Sequence, residues 1–309
     1  MNRALDRLSP LGRYSAASNR IAKSVIGAYS TSFGIATRML GPRHRSHVRN
    51  IYALVRVADE LVDGVAEEAG IALARQHEML DALEAETESG MSLGYSSNPI
   101  VHAFSSTARE AGIGVELTRP FFSSMRTDLA PAASASETGP GSAAAVCFSD
   151  SEHAEYVYGS AEVVGLMCLR VFDRGRAHCA HSRRRLEHGA RCLGAAFQNV
   201  NFLRDLGDDT QRLGRSYLSE SGTVDSPSRD RWIALIREQI DEAADTIPLL
   251  PRDARLAVHC ALRLFSALAD RLAQVPAEEL TRRRVSVAGP QKAALLVRTA
   301  LDVRTRSAR

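Results

Sequence analysis

Apolar residues recur every three or four positions along almost the whole chain, whereas alternating runs of Val, Ile and Thr between turn residues are scarce. This period places apolar side chains on one face of a helix, and such helices bury that face against one another. The sequence therefore predicts an all-α fold. The helical patterns do not repeat, and each needs the others to cover its apolar face, so we expect a single domain over residues 1–309.

Residues that favour turns interrupt the helical pattern at two places. The first is PAASASETGPGSAAA, residues 131–145, whose content of Ala, Ser, Gly and Pro predicts a mobile loop. The second is SESGTVDSPSRD, which begins at Ser219 and is interpreted as a shorter polar connection. Neither has the character of a linker between domains.

Composition and charge restrict the classes of protein to consider. Hydrophobic residues make up 45% of the chain and charged residues 24%, the balance of a globular protein. No apolar run approaches the roughly 20 residues that span a bilayer, and the N-terminus lacks the apolar core of a secretory signal. The five cysteines form no Cys-x-x-Cys pair, which argues against a disulfide framework or a zinc knuckle. We therefore expect a cytoplasmic protein.

The net charge of +3 comes with basic residues concentrated toward the C-terminus. No aromatic residues are interleaved with them, so the pattern does not favour nucleic-acid binding. Basic residues of this kind also attract anionic lipid headgroups. We expect no nucleic-acid partner and a peripheral contact with a membrane, such as the inner face of the cell membrane.

Polar residues form a stripe along the helix predicted for NIYALVRVADELVDG, residues 50–64. Tyr52, Arg56, Asp59 and Asp63 are separated by four, three and four positions and so share one face. The rest of the circumference is apolar, which predicts a buried helix whose polar stripe faces a wet cavity.

A second stripe of the same kind follows in FQNVNFLRDLGDDTQRLGRSYL. Its members are again three or four positions apart: Gln198, Asn201, Asp205, Asp209 and Arg212. Arg204 lies off this stripe and is expected to be structural. Each helix thus carries two aspartates one turn apart, about 6 Å along its axis.

An aspartate pair of this spacing is by itself more typical of a solvated helix face than of a metal site. Here the arrangement occurs twice within apolar helices, although like charges one turn apart destabilise a helix by roughly 0.2 to 0.5 kcal/mol. The repetition indicates a cation that offsets the repulsion. Mg²⁺ commonly binds through one or two carboxylates together with substrate phosphates.

Other motifs give weaker signals. HCAHSRRRLEH, residues 178–188, brings together His178, Cys179, His181 and His188, but its arginines favour a solvated basic face over a metal site. The sequence contains no Gly-x-Gly-x-x-Gly, Walker-type or Gly-x-Ser-x-Gly motif.

Three segments resemble the signature segments of the squalene/phytoene synthase family, in the same order and spacing. They are YSTSFGIATRMLGPRHRSHVRNIYALVRVADELVDG from Tyr29, YVYGSAEVVGLM from Tyr156 and FQNVNFLRDLGDDTQRLGRSYL from Phe197. RRVSVAGPQKAALLVRTAL near the end also resembles the C-terminal region of bacterial family members that make phytoene. The chain departs from the pattern after MRTDL, where the stretch at 131–145 replaces an Arg-Tyr pair.

The resemblance implies an isoprenoid (terpenoid) synthase helical bundle around a central apolar cavity. It also implies Mg²⁺, or alternatively Mn²⁺, held by Asp59, Asp63, Asn201, Asp205 and Asp209. The residues implied to hold the substrate diphosphates are Ser30, Tyr52, Arg56, Gln198 and Arg215. Tyr156 matches a family tyrosine near the reaction centre, and the small residues Gly159, Ser160, Ala161 and Gly165 are expected to leave room for prenyl chains.

The implied reaction is the head-to-head condensation of two geranylgeranyl diphosphates to phytoene through a cyclopropyl diphosphate, in carotenoid biosynthesis. One alternative is an enzyme that uses farnesyl diphosphate and makes dehydrosqualene or hydroxysqualene. Another is a helical scaffold without activity, which the presence of all four aspartates disfavours. We expect no requirement for NADPH.

Overall fold

The computed structural model describes most of the chain. The described residues are 8–129, 146–211, 215, 216, 218, 224–282, 284–289, 291, 292, 294, 295, 298 and 299. Of these, the backbone alone is described at Thr31, Ser32, Val146, Cys147, Arg215, Ser216 and residues 208–211. The loop predicted at residues 131–145 lies outside the described residues.

The described part is built from α-helices, as the hydrophobic period predicts. They are α1 (Pro10–Tyr29), α2 (Thr31–Arg38), α3 (Pro42–Val62), α4 (Val65–Glu68), α5 (Leu73–Leu93), α6 (Pro99–Ala111), α7 (Val115–Asp128), α8 (Asp150–Val157), α9 (Val163–Phe172), α10 (Ala180–Gln211), α11 (Ser226–Ala244), α12 (Arg252–Gln274) and α13 (Ala277–Leu280). A π-helical segment, Tyr158–Glu162, joins α8 to α9, and a 3-10 turn, Ile247–Leu249, precedes α12.

Local sequence signals set several helix ends. The Ser9 hydroxyl accepts a hydrogen bond from the backbone N–H of Gly12 at 3.1 Å, and Pro10 occupies the first turn of α1. At the start of α8, Ser149 and Glu152 form a reciprocal capping box. These caps satisfy N–H groups that have no partner within the helix.

One continuous hydrophobic core draws residues from nearly every helix. Its largest fully buried side chains include Phe104, Phe121, Phe122, Leu54 and Leu203. α3 packs against α1 and α6, and α10 packs against α9, α11 and the π-helical segment. The core is continuous between α3 and α10, the two helices that carry the polar stripes. The single-domain organisation of residues 1–309 stays a prediction.

The glycines of the π-helical region serve close packing between helices. A Cβ on Gly159 would strike the Pro120 carbonyl oxygen of α7, and one on Gly165 would strike the Ala190 carbonyl oxygen of α10. The expectation that these small residues leave room for prenyl chains is therefore wrong for both glycines, because the space above them is filled by neighbouring backbone.

A short parallel strand pair adjoins the helices. β1 (Val146–Cys147) pairs with β2 (Arg215–Ser216), with Val146 opposite Arg215 and Cys147 opposite Ser216. The pair places the backbone that precedes α8 beside the backbone that follows α10. None of the helices in the described residues is both long and apolar enough to cross a bilayer.

Candidate active site

The polar stripe of α3 begins at Tyr52, which is half-buried beside the N-terminus of α2. The Ser30 side chain hydrogen-bonds the Tyr52 hydroxyl and also accepts from the Phe33 backbone N–H at 3.1 Å. Burial raises the pKa of Tyr52, so the phenol is neutral at physiological pH. The structure thus brings together the two predicted hydroxyl ligands of a diphosphate.

Arg56 lies one turn farther along α3. Its guanidinium carbon stands 4.5 Å from the centre of the Tyr29 ring, and it forms an ion pair with Glu60. Its Nε is buried and makes no hydrogen bond. A buried donor without a partner is costly, so this N–H is available to an oxygen of a bound anion.

Asp59 stands at the centre of a group of carboxylates. Its side chain keeps some exposed surface, yet protein atoms surround it deeply enough that desolvation raises its pKa to about 8. The charges of Asp63 and Asp128 raise the pKa further, and Arg56 opposes them. Asp63 is the C-cap residue of α3, and its backbone N–H donates to the Asp59 carbonyl oxygen at 2.8 Å.

Tyr156 connects to this group through a residue of α7. Its hydroxyl donates a hydrogen bond of 2.7 Å to Oδ2 of Asp128, and both side chains are buried. The Tyr156 ring packs against Phe148 and Phe202, with ring centres 5.6 Å and 5.9 Å away. The tyrosine predicted at the reaction centre is thus joined to the first aspartate pair by Asp128.

The second stripe lies on α10, where Gln198, Asn201 and Asp205 are half-buried on one face. Asp205 is held by two arginines. Arg204 binds it through Nε at 2.9 Å, and Arg284 binds it through Nε at 2.7 Å. Arg204 thus pairs with a predicted site residue, and its expected structural role stays a prediction. The backbones of Asp209 and Arg215 lie at the end of α10 and in β2, and their side chains lie outside the described structure.

An aromatic cluster joins the two stripes. The Phe33 ring of α2 lies 6.3 Å from the Tyr52 ring, 5.6 Å from Phe197 and 5.4 Å from Phe265. Phe197 and Phe265 stack with ring centres 3.8 Å apart. The Phe33 ring thus contacts Tyr52 of the α3 stripe and Phe197, which directly precedes Gln198 on α10. The central apolar cavity stays a prediction, and these rings occupy part of the space between α3 and α10.

The donor set of the first stripe fits a hard divalent cation. Asp59, Asp63 and Asp128 bring more negative charge than Arg56 offsets, and oxygen is the ligand atom that Mg²⁺ prefers. Among the described residues, however, their oxygens do not converge on a single point. A cation there would draw the carboxylates together and relieve their repulsion.

Sequence reasoning missed Asp128 and Arg284. Asp128 lies in MRTDL, a segment that the sequence analysis noted without assigning its aspartate a role. Arg284 lies in the basic C-terminal segment, 79 positions from its partner Asp205. A depression of about 250 Å³ also borders Tyr156, lined by Ser123, Ser124, Thr127, Phe148, Glu152 and Glu155.

Comparison with known proteins gives a consistent family match. Residues 26–291 match the model of the family described as squalene/phytoene synthase. The chain is 28% identical to phytoene synthase 3, chloroplastic, of Zea mays over 272 residues, which are 82% of this chain and 59% of that protein. It is 28% identical to 15-cis-phytoene synthase of Synechocystis over 295 residues, 88% of this chain and 81% of that protein.

A solved structure shares the fold. A dehydrosqualene synthase in complex with a ligand superposes with a TM-score of 0.72 at 20% identity, covering 96% of this chain and all of that one. The helical arrangement described above is therefore that of an isoprenoid synthase. The chain spans 59% of the length of the maize protein and 81% of the length of the Synechocystis protein.

Proposed function

Because this chain belongs to the squalene/phytoene synthase family, we propose that it condenses two prenyl diphosphates head to head, through a cyclopropyl diphosphate, to a linear hydrocarbon. We assign geranylgeranyl diphosphate as the substrate and phytoene, in carotenoid biosynthesis, as the product. The relatives from maize and Synechocystis, both of which are named phytoene synthases, support this assignment.

The observation that carries the proposal is the pairing of two half-buried carboxylate stripes across one aromatic cluster. The α3 stripe supplies Asp59 and Asp63, and the α10 stripe supplies Asn201 and Asp205. The Phe33 ring contacts Tyr52 of the α3 stripe and Phe197, the residue before Gln198 on α10. Charged and apolar groups thus lie close together, which supports a substrate with an anionic head and a hydrocarbon tail.

We propose that Asp59, Asp63, Asn201, Asp205 and Asp209 hold Mg²⁺. When bound, the ion would act as a Lewis acid that stabilises the charge of the departing diphosphate. The carboxylate excess around Asp59 supports this assignment, because a cation would remove the cost of burying several like charges together.

The diphosphate oxygens would be held by side chains of the same two stripes. Arg56 offers its buried Nε–H, and a guanidinium can bind such oxygens in a bidentate fork. The Ser30 and Tyr52 hydroxyls lie next to it and can donate to the same group. Gln198 and Arg215 are proposed to play the corresponding part on the α10 side.

The proposed role of Tyr156 is to orient the reacting group and to stabilise positive charge with its ring. Its hydrogen bond to Asp128 fixes the direction of the hydroxyl. Phe148 and Phe202 pack around the ring and keep water from it, which protects a carbocation from hydrolysis.

A second candidate is the condensation of two fifteen-carbon farnesyl diphosphates to dehydrosqualene or hydroxysqualene. The observation that favours it is the stacked pair Phe197 and Phe265, which with Phe33 narrows the space available for a hydrocarbon tail. The scaffold alternative is disfavoured because all four aspartates of the two stripes are present.

Incubation of the purified protein with each prenyl diphosphate and Mg²⁺, followed by identification of the hydrocarbon, tests these proposals. Phytoene, with its conjugated central triene visible by ultraviolet absorption, is the expected product, and NADPH is expected to change neither the rate nor the product. Conversion of farnesyl diphosphate alone would support the second candidate. A saturated central linkage that appears only with NADPH, or no product from either substrate, would contradict the proposal.

We also propose that the protein is cytoplasmic and contacts a membrane peripherally, because its hydrocarbon product is insoluble in water. The basic residues near the C-terminus would attract an anionic surface.

A further inference from the structure

A group of three potential metal ligands lies outside the candidate active site, on the seam between α10 and α11. It consists of His188 and Cys192, one turn apart on α10, and Glu242 on α11. His188 and Glu242 are exposed, whereas the Cys192 side chain is buried beneath them. Among the described residues this is the one group of three or more His, Cys, Asp or Glu side chains whose ligand atoms lie within 4.8 Å of one another.

The sequence pattern predicts different neighbours for His188. In HCAHSRRRLEH, it predicts that His188 shares a solvated basic face with His178, Cys179 and His181. In the structure, His178 instead binds Asp173 at 3.0 Å and the Cys179 thiol lies 3.3 Å from the Ser182 hydroxyl. The His188 ring lies against Cys192 on its own helix and against Glu242 of α11.

The three ligand atoms form a triangle of suitable size. Nε2 of His188 lies 3.1 Å from Oε2 of Glu242, Sγ of Cys192 lies 3.0 Å from the same oxygen, and Sγ lies 3.6 Å from Nε2. A point about 0.9 Å outside the plane of these atoms is about 2.1 Å from each of them. Zinc bonds are about 2.0 to 2.2 Å to nitrogen and oxygen and about 2.3 Å to sulfur, so the required adjustment is small.

The types of ligand select the class of metal. A thiolate and an imidazole favour Zn²⁺ and similar transition-metal ions, whereas Mg²⁺ prefers oxygen ligands alone. Two arginines of α10 near the group have other partners. Arg191 is paired with Glu162 at 2.5 Å, and Arg185 lies 3.5 Å from the Asp245 carbonyl oxygen.

We propose that His188, Cys192 and Glu242 bind a Zn²⁺ ion that links α10 to α11, with a water molecule completing a tetrahedral site. On binding, the Cys192 thiol proton, which is now directed to Glu242, leaves to solvent as the sulfur–metal bond forms. This site is separate from the aspartate stripes, and the proposal does not depend on the proposed enzymatic activity.

Burial of the Cys192 thiol beside the Glu242 carboxylate raises its pKa to about 12 when no metal is bound. Such a thiol is inert toward ordinary oxidants, because the thiolate is the reactive form.

Titration of the untagged, metal-free protein with Co²⁺ in buffer containing excess Mg²⁺ tests the site. Excess Mg²⁺ competes with Co²⁺ for oxygen ligands, and a bond between cobalt and thiolate gives an ultraviolet charge-transfer band that carboxylate ligands do not give. We expect the band to saturate at one equivalent of Co²⁺ and to be abolished when Zn²⁺ displaces the cobalt.

Variants identify the ligands. Cys192→Ser should abolish the band, and His188→Ala or Glu242→Gln should weaken Co²⁺ binding by more than the 10 to 100-fold that loss of an outer-shell partner costs. Cys179→Ser, which changes an exposed cysteine of the same region, should leave the band unchanged. Because Cys192 is buried and its replacement could unfold the protein, the exposed His188 provides the second variant, and circular dichroism verifies the fold of each.

A thermal readout gives an independent measure. Zn²⁺ should raise the Tm of the wild type and of Cys179→Ser, since an ion that binds only the folded state stabilises it, but not that of His188→Ala. Absence of the charge-transfer band in the wild type, or a band that persists in Cys192→Ser, would overturn the proposal.

Discussion

The hydroxyl of Tyr156 donates a 2.7 Å hydrogen bond to Oδ2 of Asp128, and the charge of Asp128 acts in turn on Asp59. The bond therefore joins the segment that carries the proposed reaction-centre tyrosine to the first aspartate stripe. Three segments far apart in the sequence meet at this point.

Removing that hydroxyl should affect stability as well as activity. In Tyr156→Phe a buried carboxylate loses one hydrogen bond, and bonds to charged groups contribute about 1.5 to 3 kcal/mol. We expect a fall of that size in the free energy of unfolding, measured by urea denaturation, and a lower kcat. Tyr158→Phe, two residues away, is the matched control. Equal stability of Tyr156→Phe and the wild type would show that the bond contributes nothing.

The aspartates of the two stripes should be needed for turnover. Asp59→Asn and Asp205→Asn are each expected to lower kcat by at least about a hundredfold, because each removes a charge proposed to hold the cation. Asp270→Asn is the control, since Asp270 is exposed and pairs with Arg237 at 2.9 Å. Near-normal turnover of either stripe variant with Mg²⁺ present would exclude the assignment.

The same substitution at Asp59 should not destabilise the metal-free protein. Burial and neighbouring carboxylates raise the pKa of Asp59 to about 8, so the folded state disfavours its charged form. A neutral Asn of similar shape relieves that cost. The expected Tm of metal-free Asp59→Asn is therefore at least that of the wild type, and a fall in Tm would indicate that loss of activity reflects misfolding.

His153 should make stability depend on pH. It is buried between the rings of Phe202 and Trp232, and desolvation lowers its pKa to about 4 from an unfolded value of about 6.5. The unfolded state therefore binds the proton more readily. Neutral His153 therefore makes its full contribution to the free energy of unfolding above about pH 6.5. This contribution falls by about 3 kcal/mol in total as the pH falls toward 4.

Urea unfolding at pH values between 7 and 4 measures this effect. His153→Gln should show a flatter dependence of the unfolding free energy on pH than the wild type, and the exposed His181→Gln should match the wild type. Carboxylates that titrate in the same range cancel in the comparison. Parallel curves for His153→Gln and the wild type would rule out this role for His153.

Replacement by Ala should change the stability of the protein in opposite directions at two glycines. Gly159→Ala places a methyl group against the backbone of α7 and should destabilise the protein by about 1 to 3 kcal/mol. Gly27→Ala meets nothing within 4 Å on the exposed face of α1 and should stabilise it by about 0.4 to 1 kcal/mol. Thermal unfolding of both variants measures the difference, and a stable Gly159→Ala would contradict the close packing described for the π-helical segment.

Membrane contact is tested by flotation with lipid vesicles. We expect the protein to float with anionic vesicles at modest salt, to bind zwitterionic vesicles less, and to dissociate as salt screens the charges. If the active protein binds neither kind of vesicle, the hydrocarbon product must leave by another route, such as a carrier protein.

The sequence was sufficient to predict the helical class, the α3 stripe, and the Gln198, Asn201 and Asp205 part of the α10 stripe. A stripe such as Tyr52, Arg56, Asp59 and Asp63 depends only on the period of one helix, which a single sequence shows directly. The family match confirms the resemblance from which the fold was inferred.

Contacts between distant segments could not be predicted in that way. Asp128 joins the site through Tyr156 on another helix, and Arg284 reaches Asp205 from 79 positions away, so neither has a periodic signal in its own segment. The roles of the small residues could not be predicted for the same reason. Gly159 and Gly165 could line a cavity or admit a neighbouring backbone, and only the positions of Pro120 and Ala190 distinguish these uses.

The position of Phe33 bears on how substitutions could change the substrate of this protein. Its ring contacts rings from three helices, α3, α10 and α12, yet it carries no charge and forms no part of either aspartate stripe. Under the proposed function, exchange of this one side chain for a smaller or larger one would alter the room for a hydrocarbon tail, while the groups proposed to bind the anionic head stay in place. Tail length and head-group chemistry can therefore evolve separately, so that a descendant of this protein could acquire a substrate of different carbon number through a few apolar substitutions.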